Sequence, residues 1–157
     1  MPENPPKDSG TWILALDSVL RAAVGERELV HLIEAPTLLD VPISPPYCRQ
    51  VLVWNENLLP AMDLAAWLRP GEPVQRRWPL AGVFGYQTKP GAEPAYGALL
   101  LAGIPERART ADSQACALLK QPARWRTLAI SCFKRGDHPI PILDLPHLFT
   151  GGLLTAV

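Results

Sequence analysis

The chain has 157 residues, 48% of them hydrophobic and 19% charged, with equal numbers of basic and acidic side chains. A chain of this length can bury about 68–70% of its unfolded surface, so it can form a core without staples, and its apolar share excludes disorder as the prevailing state. Eighteen prolines argue against a helical bundle and suit short strands broken by turns.

In chain order, the polar, proline-rich MPENPPKDSG lacks the basic and apolar regions of a signal peptide and reads as a disordered leader over 1–11. Between Trp12 and Glu34 the pattern predicts two strands around a turn at Gly25–Arg27. RQVLVW at 49–54, NLLPAM at 57–62, PLAGVFGY at 79–86, AYGALLLAGI at 95–104, RTLAISCF at 126–133 and HPIPIL at 138–143 read as further strands. The longest apolar run, 96–104, is about half of the ~20 residues a membrane helix needs and reads as a buried strand. NEN at 55–57 and KRGD at 134–137 are then hairpin turns, with a longer, mobile turn at 87–94.

The second strand of each hairpin ends alike: LLPAMDLAAWL at 58–68 returns 81 positions later as PIPILDLPHLF at 139–149. Asp63 and Asp144 each precede a short apolar segment, where a carboxylate can cap a helical turn by accepting an orphan N–H. Pro146 suits the first turn of the second segment. The repeat therefore implies two copies of one β-rich unit, with Leu64 and Leu145 as core residues. The competing reading is a catalytic carboxylate pair, as in two-fold symmetric aspartic proteases. Those sites follow the aspartate with a small hydroxyl residue and glycine, whereas bulky leucines follow here. Capping aspartates would lie apart; a glycosidase-type retaining pair needs carboxyl groups within about 5.5 Å.

Three cysteines without CxxC spacing indicate neither a zinc site nor a disulfide framework, and read as buried thiols in a reducing cytoplasm. His31, His138 and His147 have no metal-ligand spacing, and no phosphate loop, dinucleotide fingerprint or nucleophile–base arrangement is present. No cofactor or metal is expected. Residues 1–75 hold ten acidic and five basic side chains, and the remainder holds the reverse. The arginines of the second half are not interleaved with aromatics in a nucleic-acid-binding pattern, so the split suggests that one half faces the opposite half of another molecule.

VPISPPYCRQVLVWNENLLPAMDL at 41–64, GALLLAGI at 97–104 and GDHPIPILDLPHLF at 136–149 together resemble the CheW-like domain of bacterial chemotaxis couplers, over about residues 12–152. The order and spacing of these segments carry the resemblance. It implies a mainly β fold of two SH3-like five-stranded barrels with short helical turns, one spanning about 12–75 and the other about 76–152, followed by a tail at 153–157. It further implies a non-enzymatic adaptor that couples the cytoplasmic tips of chemoreceptors to the regulatory domain of a CheA-type histidine kinase, or associates with other CheW-like proteins. Such a protein would be cytoplasmic, at receptor arrays or the cell pole, and touch membranes only through receptors. Carried over by position, the interaction residues are Leu29, Val30 and His31 on one strand, Leu52, Trp54, Asn55, Glu56 and Leu58 in the first hairpin, and Leu99, Leu100 and Leu101 lining a groove between the barrels.

The chain departs from the family pattern where Gln50 replaces a glycine, Asn55 and Glu56 replace an Arg-Gly pair, and Ala102 replaces an aspartate. Asparagine does not reproduce the five donors of a guanidinium. Three readings follow: a coupler in a chemotaxis or type IV pilus array, a CheW-like module serving another polar scaffold, and an enzyme using Asp63 with Asp144.

Overall fold

Short runs of Val, Leu, Ile and Ala punctuated by Pro, Gly and Asn favour strands over helices, because branched side chains pack well on a pleated surface. The computed structural model describes residues 8–152 apart from Gln75, Trp78, Leu119 and Gln121. Its strands are β1 (Asp8–Ala15), β2 (Arg21–Gly25), β3 (Leu29–Glu34), β4 (Leu38–Asp40), β5 (Gln50–Trp54), β6 (Asn57–Met62), β7 (Leu80–Tyr86), β8 (Ala95–Leu100), β9 (Glu106–Ala111), β10 (Ala129–Arg135) and β11 (His138–Leu143). Short helices α1 (Leu64–Leu68), α2 (Trp125–Leu128) and α3 (Leu145–His147) fill the junctions. The protein is mainly β, as two curled half-barrel sheets: sheet A in the order β10-β11-β2-β1-β9 and sheet B in the order β3-β7-β8-β6-β5-β4.

The two expected hairpins are present and equivalent. Trp54 pairs with Asn57 across a two-residue turn, and 81 positions later Arg135 pairs with His138. Asn55 and Glu56 both have positive φ, 47° and 64°, which matches the right-handed twist of the flanking strands. In the second turn only Gly136, at 62°, is left-handed. The equivalence continues beyond the hairpins: Ala61 of β6 pairs in parallel with Ala98 of β8, and Ile142 of β11 pairs in parallel with Ala23 of β2. Five strands of each sheet thus correspond, β5, β6, β8, β7 and β3 to β10, β11, β2, β1 and β9. The short β4 makes sheet B six-stranded rather than five.

The expected division into barrels at 12–75 and 76–152 does not hold. β1 and β2 pair with strands from the second half of the chain, and β7 and β8 with strands from the first. Each half sends its leading hairpin into the other's sheet. The turn at Gly25–Arg27 does separate two strands, but they enter different sheets. Asp8–Thr11, placed in a disordered leader, belong to β1, where Thr11 pairs with Gly25 and Ala108. Residues 1–7 and the tail at 153–157 lie outside the described residues. Only Cys132 is buried; Cys48 and Cys116 are half-buried.

Three apolar clusters follow from the period-two alternation of strand side chains. Leu52, Leu59, Ala61, Ala81, Val83 and Ala98 fill the concavity of sheet B, while Ile13, Ala23, Phe133 and Ile140 fill that of sheet A. The largest core unites the two sheets, with Leu14, Val24, Phe84 and Leu99 from strands and Leu64, Trp67, Trp125 and Leu145 from the junction helices. Central strands are buried on both faces, which is why AYGALL reads as a continuous apolar run.

Candidate protein-interaction surface

The repeated aspartates act as caps. Asp63 Oδ1 accepts the Ala66 N–H at 3.1 Å, and Asp144 Oδ1 accepts the His147 N–H at 3.3 Å. Asp63 does more, because Arg76 forms a bidentate pair with it at 2.9 Å and also donates to the carbonyls of Leu16 and Leu100. That guanidinium ties the α1 cap to the ends of both β1 and β8. Asp144 instead lies close enough to Glu28 to help raise its pKa. Each aspartate thus caps its own helix, as the capping reading of the repeat expects. Among the described residues, no group of three or more His, Cys, Asp and Glu side chains is placed to hold a metal.

The residues expected to make contacts divide into surface and core. Val30, His31, Asn55, Glu56 and Leu58 are exposed, and Leu29 and Trp54 are half-buried. Leu52 is fully buried, since its side chain points into sheet B opposite Leu59. Leu99 and Leu101 are also fully buried, in the core between the sheets, and Leu100 packs inside sheet B. Leu52, Leu99 and Leu101 are packing residues, whereas Leu100, half-buried at the end of β8, borders a cleft beside Asp40, Gln50 and Ala61. Trp54 turns toward the same concavity as Leu52 and packs on Tyr96, with ring centroids 5.4 Å apart.

The outward side of the first hairpin carries an unpartnered apolar stripe. Val53 faces Leu58 across the β5–β6 ladder, and Leu39 faces Val51, which faces Pro60. Leu58 is 64% exposed and Leu39 48%. Val51 and Pro60 continue into a groove of about 440 Å³ between the sheets, closed on its far side by Leu148 and Phe149 beyond α3. At the rim stands Ile43, fully exposed, with φ of 53°. A β-branched residue in the left-handed region is an outlier, and such strain concentrates at functional sites.

Sequence reasoning found the hairpin but missed Leu39, Ile43 and Phe149. The apolar residues spaced between prolines in VPISPPY were the available signal; Phe149 had none, since its place in the groove depends on a chain reversal far from the hairpin. Phe149 lies flat over Gly97, where an added Cβ would meet its ring at 2.4 Å. It also stacks on Tyr86.

The charge split survives folding despite the exchange of strands. The strands of sheet A carry five basic and two acidic residues, whereas those of sheet B carry two acidic residues, Glu34 and Asp40, and no basic one. Glu56 adds to the acidic side. The apolar stripe thus lies on an acidic sheet, and the opposite sheet is basic.

No family model matches the chain, and no curated protein matches it by sequence. Among solved structures, it is similar to the scaffolding protein TtCheW from Thermoanaerobacter tengcongensis, at 12% identity and a TM-score of 0.71, over 95% of this chain and 92% of that one. The fold is CheW-like. The two curled sheets correspond to the two SH3-like subdomains of CheW. Among the described residues no helix is long and apolar enough to cross a membrane.

Proposed function

We propose that the protein is a non-enzymatic adaptor that joins chemoreceptor tips to the regulatory domain of a CheA-type histidine kinase, in a chemotaxis or type IV pilus array. The observation that carries this reading is the continuous apolar surface from Leu58 and Val53 through Val51 and Pro60 into the groove beside Ile43. Its hairpin end, on the acidic sheet, suits the basic sheet of a neighbouring two-barrel protein, whether a kinase regulatory domain or another CheW-like chain. Its groove end suits the apolar tip of a receptor. Contacts of one sheet with the other sheet of the next molecule are heterologous and build rings or chains. The adaptor acts in the cytoplasm, at arrays or the cell pole.

The experiment is binding of a CheA-type regulatory domain and of a receptor cytoplasmic tip to the wild type and to Leu58→Asp, Ile43→Asp and Glu56→Lys. Leu58→Asp is expected to weaken the kinase domain by about 2 kcal/mol or more, roughly thirtyfold, while sparing the receptor tip. Ile43→Asp should do the reverse. Glu56→Lys should change chiefly the association rate and its salt dependence, since exposed charges steer more than they hold. Unchanged binding in all three overturns the assignment of the surface. If neither partner binds the wild type, the replacement of the family's Arg-Gly pair by Asn55 and Glu56 directs the search to a different polar scaffold.

A further inference from the structure

Sheet A ends on one side in β9 and on the other in β10, and the chain after β9 crosses that gap. Ala115 forms an isolated antiparallel bridge with Phe133 of β10, and the Cys116 N–H donates to the Cys132 carbonyl at 3.0 Å. Cys116 and Cys132 therefore stand opposite one another across the seam, with their Sγ atoms 3.2 Å apart. Opposed residues in an antiparallel pair have Cα atoms about 4.5–5.5 Å apart, within the ~4.4–6.8 Å range that a disulfide spans. Cys48 is remote from this pair, in the groove between the sheets.

We propose that Cys116 and Cys132 form a redox modification site, a dithiol that a peroxide converts to a disulfide across the seam of sheet A. The two thiols have distinct roles. Cys132 is 3% exposed, so it is the thiol that an oxidant does not reach first, and its burial, followed by its contact with Cys116, raises its pKa. Cys116 is the half-buried partner that an oxidant reaches. Its thiolate attacks one peroxide oxygen, the O–O bond breaks, hydroxide leaves and a sulfenic acid forms. The Cys132 sulfur then attacks the Cys116 sulfur. The S–S bond forms, the S–O bond breaks, and the departing hydroxide takes the Cys132 proton as water. In sum, two thiols and one peroxide give one disulfide and two waters, with two electrons passing from sulfur to peroxide.

The disulfide encloses α2, whose Trp125 and Leu128 belong to the inter-sheet core. A chain link of this length narrows the unfolded ensemble and raises the unfolding midpoint. It also adds a reversible covalent link to a seam held by the Ala115–Phe133 bridge and the Cys116 N–H bond to the Cys132 carbonyl.

The test is hydrogen peroxide titration of the full chain, followed by alkylation of remaining thiols, digestion without reductant and mass mapping. The expected result is a cross-linked peptide pair holding Cys116 and Cys132, lighter by two hydrogens, with Cys48 alone still alkylated. The midpoint of thermal unfolding should rise by about 5–10 °C and return on treatment with dithiothreitol. In Cys116→Ser the same oxidant should leave Cys132 alkylatable and the midpoint unmoved. The proposal is overturned by three thiols still open to alkylation, by Cys116 advancing to sulfinic acid with Cys132 free, or by a disulfide to Cys48.

Discussion

Asp63 and Asp144 occupy the same place in two repeats but have different surroundings. The Arg76–Asp63 pair is largely buried, with 14% and 17% side-chain exposure. Asp63→Ala removes a cap and leaves a guanidinium without its carboxylate between the sheets, whereas Asp144→Ala removes a cap together with a like charge near Glu28. Denaturant melts should show a loss of about 3 kcal/mol for Asp63→Ala and about 1 kcal/mol for Asp144→Ala; equal losses would mean that Arg76 contributes nothing through its carboxylate. Glu28 gives a pH dependence of definite sign. Burial raises its pKa, the Gly25 N–H opposes that shift, and Asp144 adds to it. A carboxyl raised in the folded state binds its proton more tightly there than in the unfolded chain. Its stabilising increment is therefore full below the unfolded pKa and is lost as pH rises through the folded one. Glu28→Gln keeps an acceptor for Gly25 without the charge. Its thermal midpoint should gain on the wild type as pH rises through the carboxylate range, and parallel curves would count against the assignment.

At the level of elements, the two hairpins solve one geometric problem with different residues. Glu56 holds a left-handed conformation that glycine adopts freely, and its equivalent Asp137 does not need to, because Gly136 alone takes positive φ in that turn. Glu56→Gly is therefore expected to stabilise the protein by about 0.5–1 kcal/mol, and Gly136→Ala to destabilise it by about 1–2 kcal/mol. Chemical denaturation of both variants measures this directly; the same sign for both would contradict the backbone argument. The junction helices are too short to persist alone. α1 and α3 are held by their caps and by Leu64 and Leu145, both fully buried in the inter-sheet core as the repeated Asp-Leu pattern anticipated, and α2 by buried Trp125 and Leu128.

For the whole molecule, the reciprocal exchange of β1–β2 and β7–β8 makes each sheet a joint product of both chain halves. Neither half contains a complete sheet, and the largest core draws on both. Fragments 1–75 and 76–157 should each lack a cooperative thermal transition and regain one on mixing. A cooperative transition in either fragment alone would show that a half supplies its own core. The same exchange sorts charge: basic residues of β2, β9 and β10 gather on sheet A, although β2 comes from the acidic half of the chain.

The two hairpins with their turns, the capping aspartates and the repeat were legible in the sequence, because each rests on neighbours within a few residues: apolar alternation, turn chemistry and an N-cap before an apolar segment; β4, β9, the break between β1 and β2, and the helical turn α2 at the start of the expected strand 126–133 were not. The resemblance in motif order also anticipated the CheW-like fold. Which strands share a sheet was not legible there, since parallel pairing of β6 with β8 and of β11 with β2 joins segments dozens of residues apart without a local signature. That pairing turned Leu52, Leu99 and Leu101 from expected contact residues into core, for an apolar side chain looks the same in sequence whether its face is covered or open. It also brought Phe149 to the groove and Cys116 to Cys132, contacts that depend on where distant chain segments return.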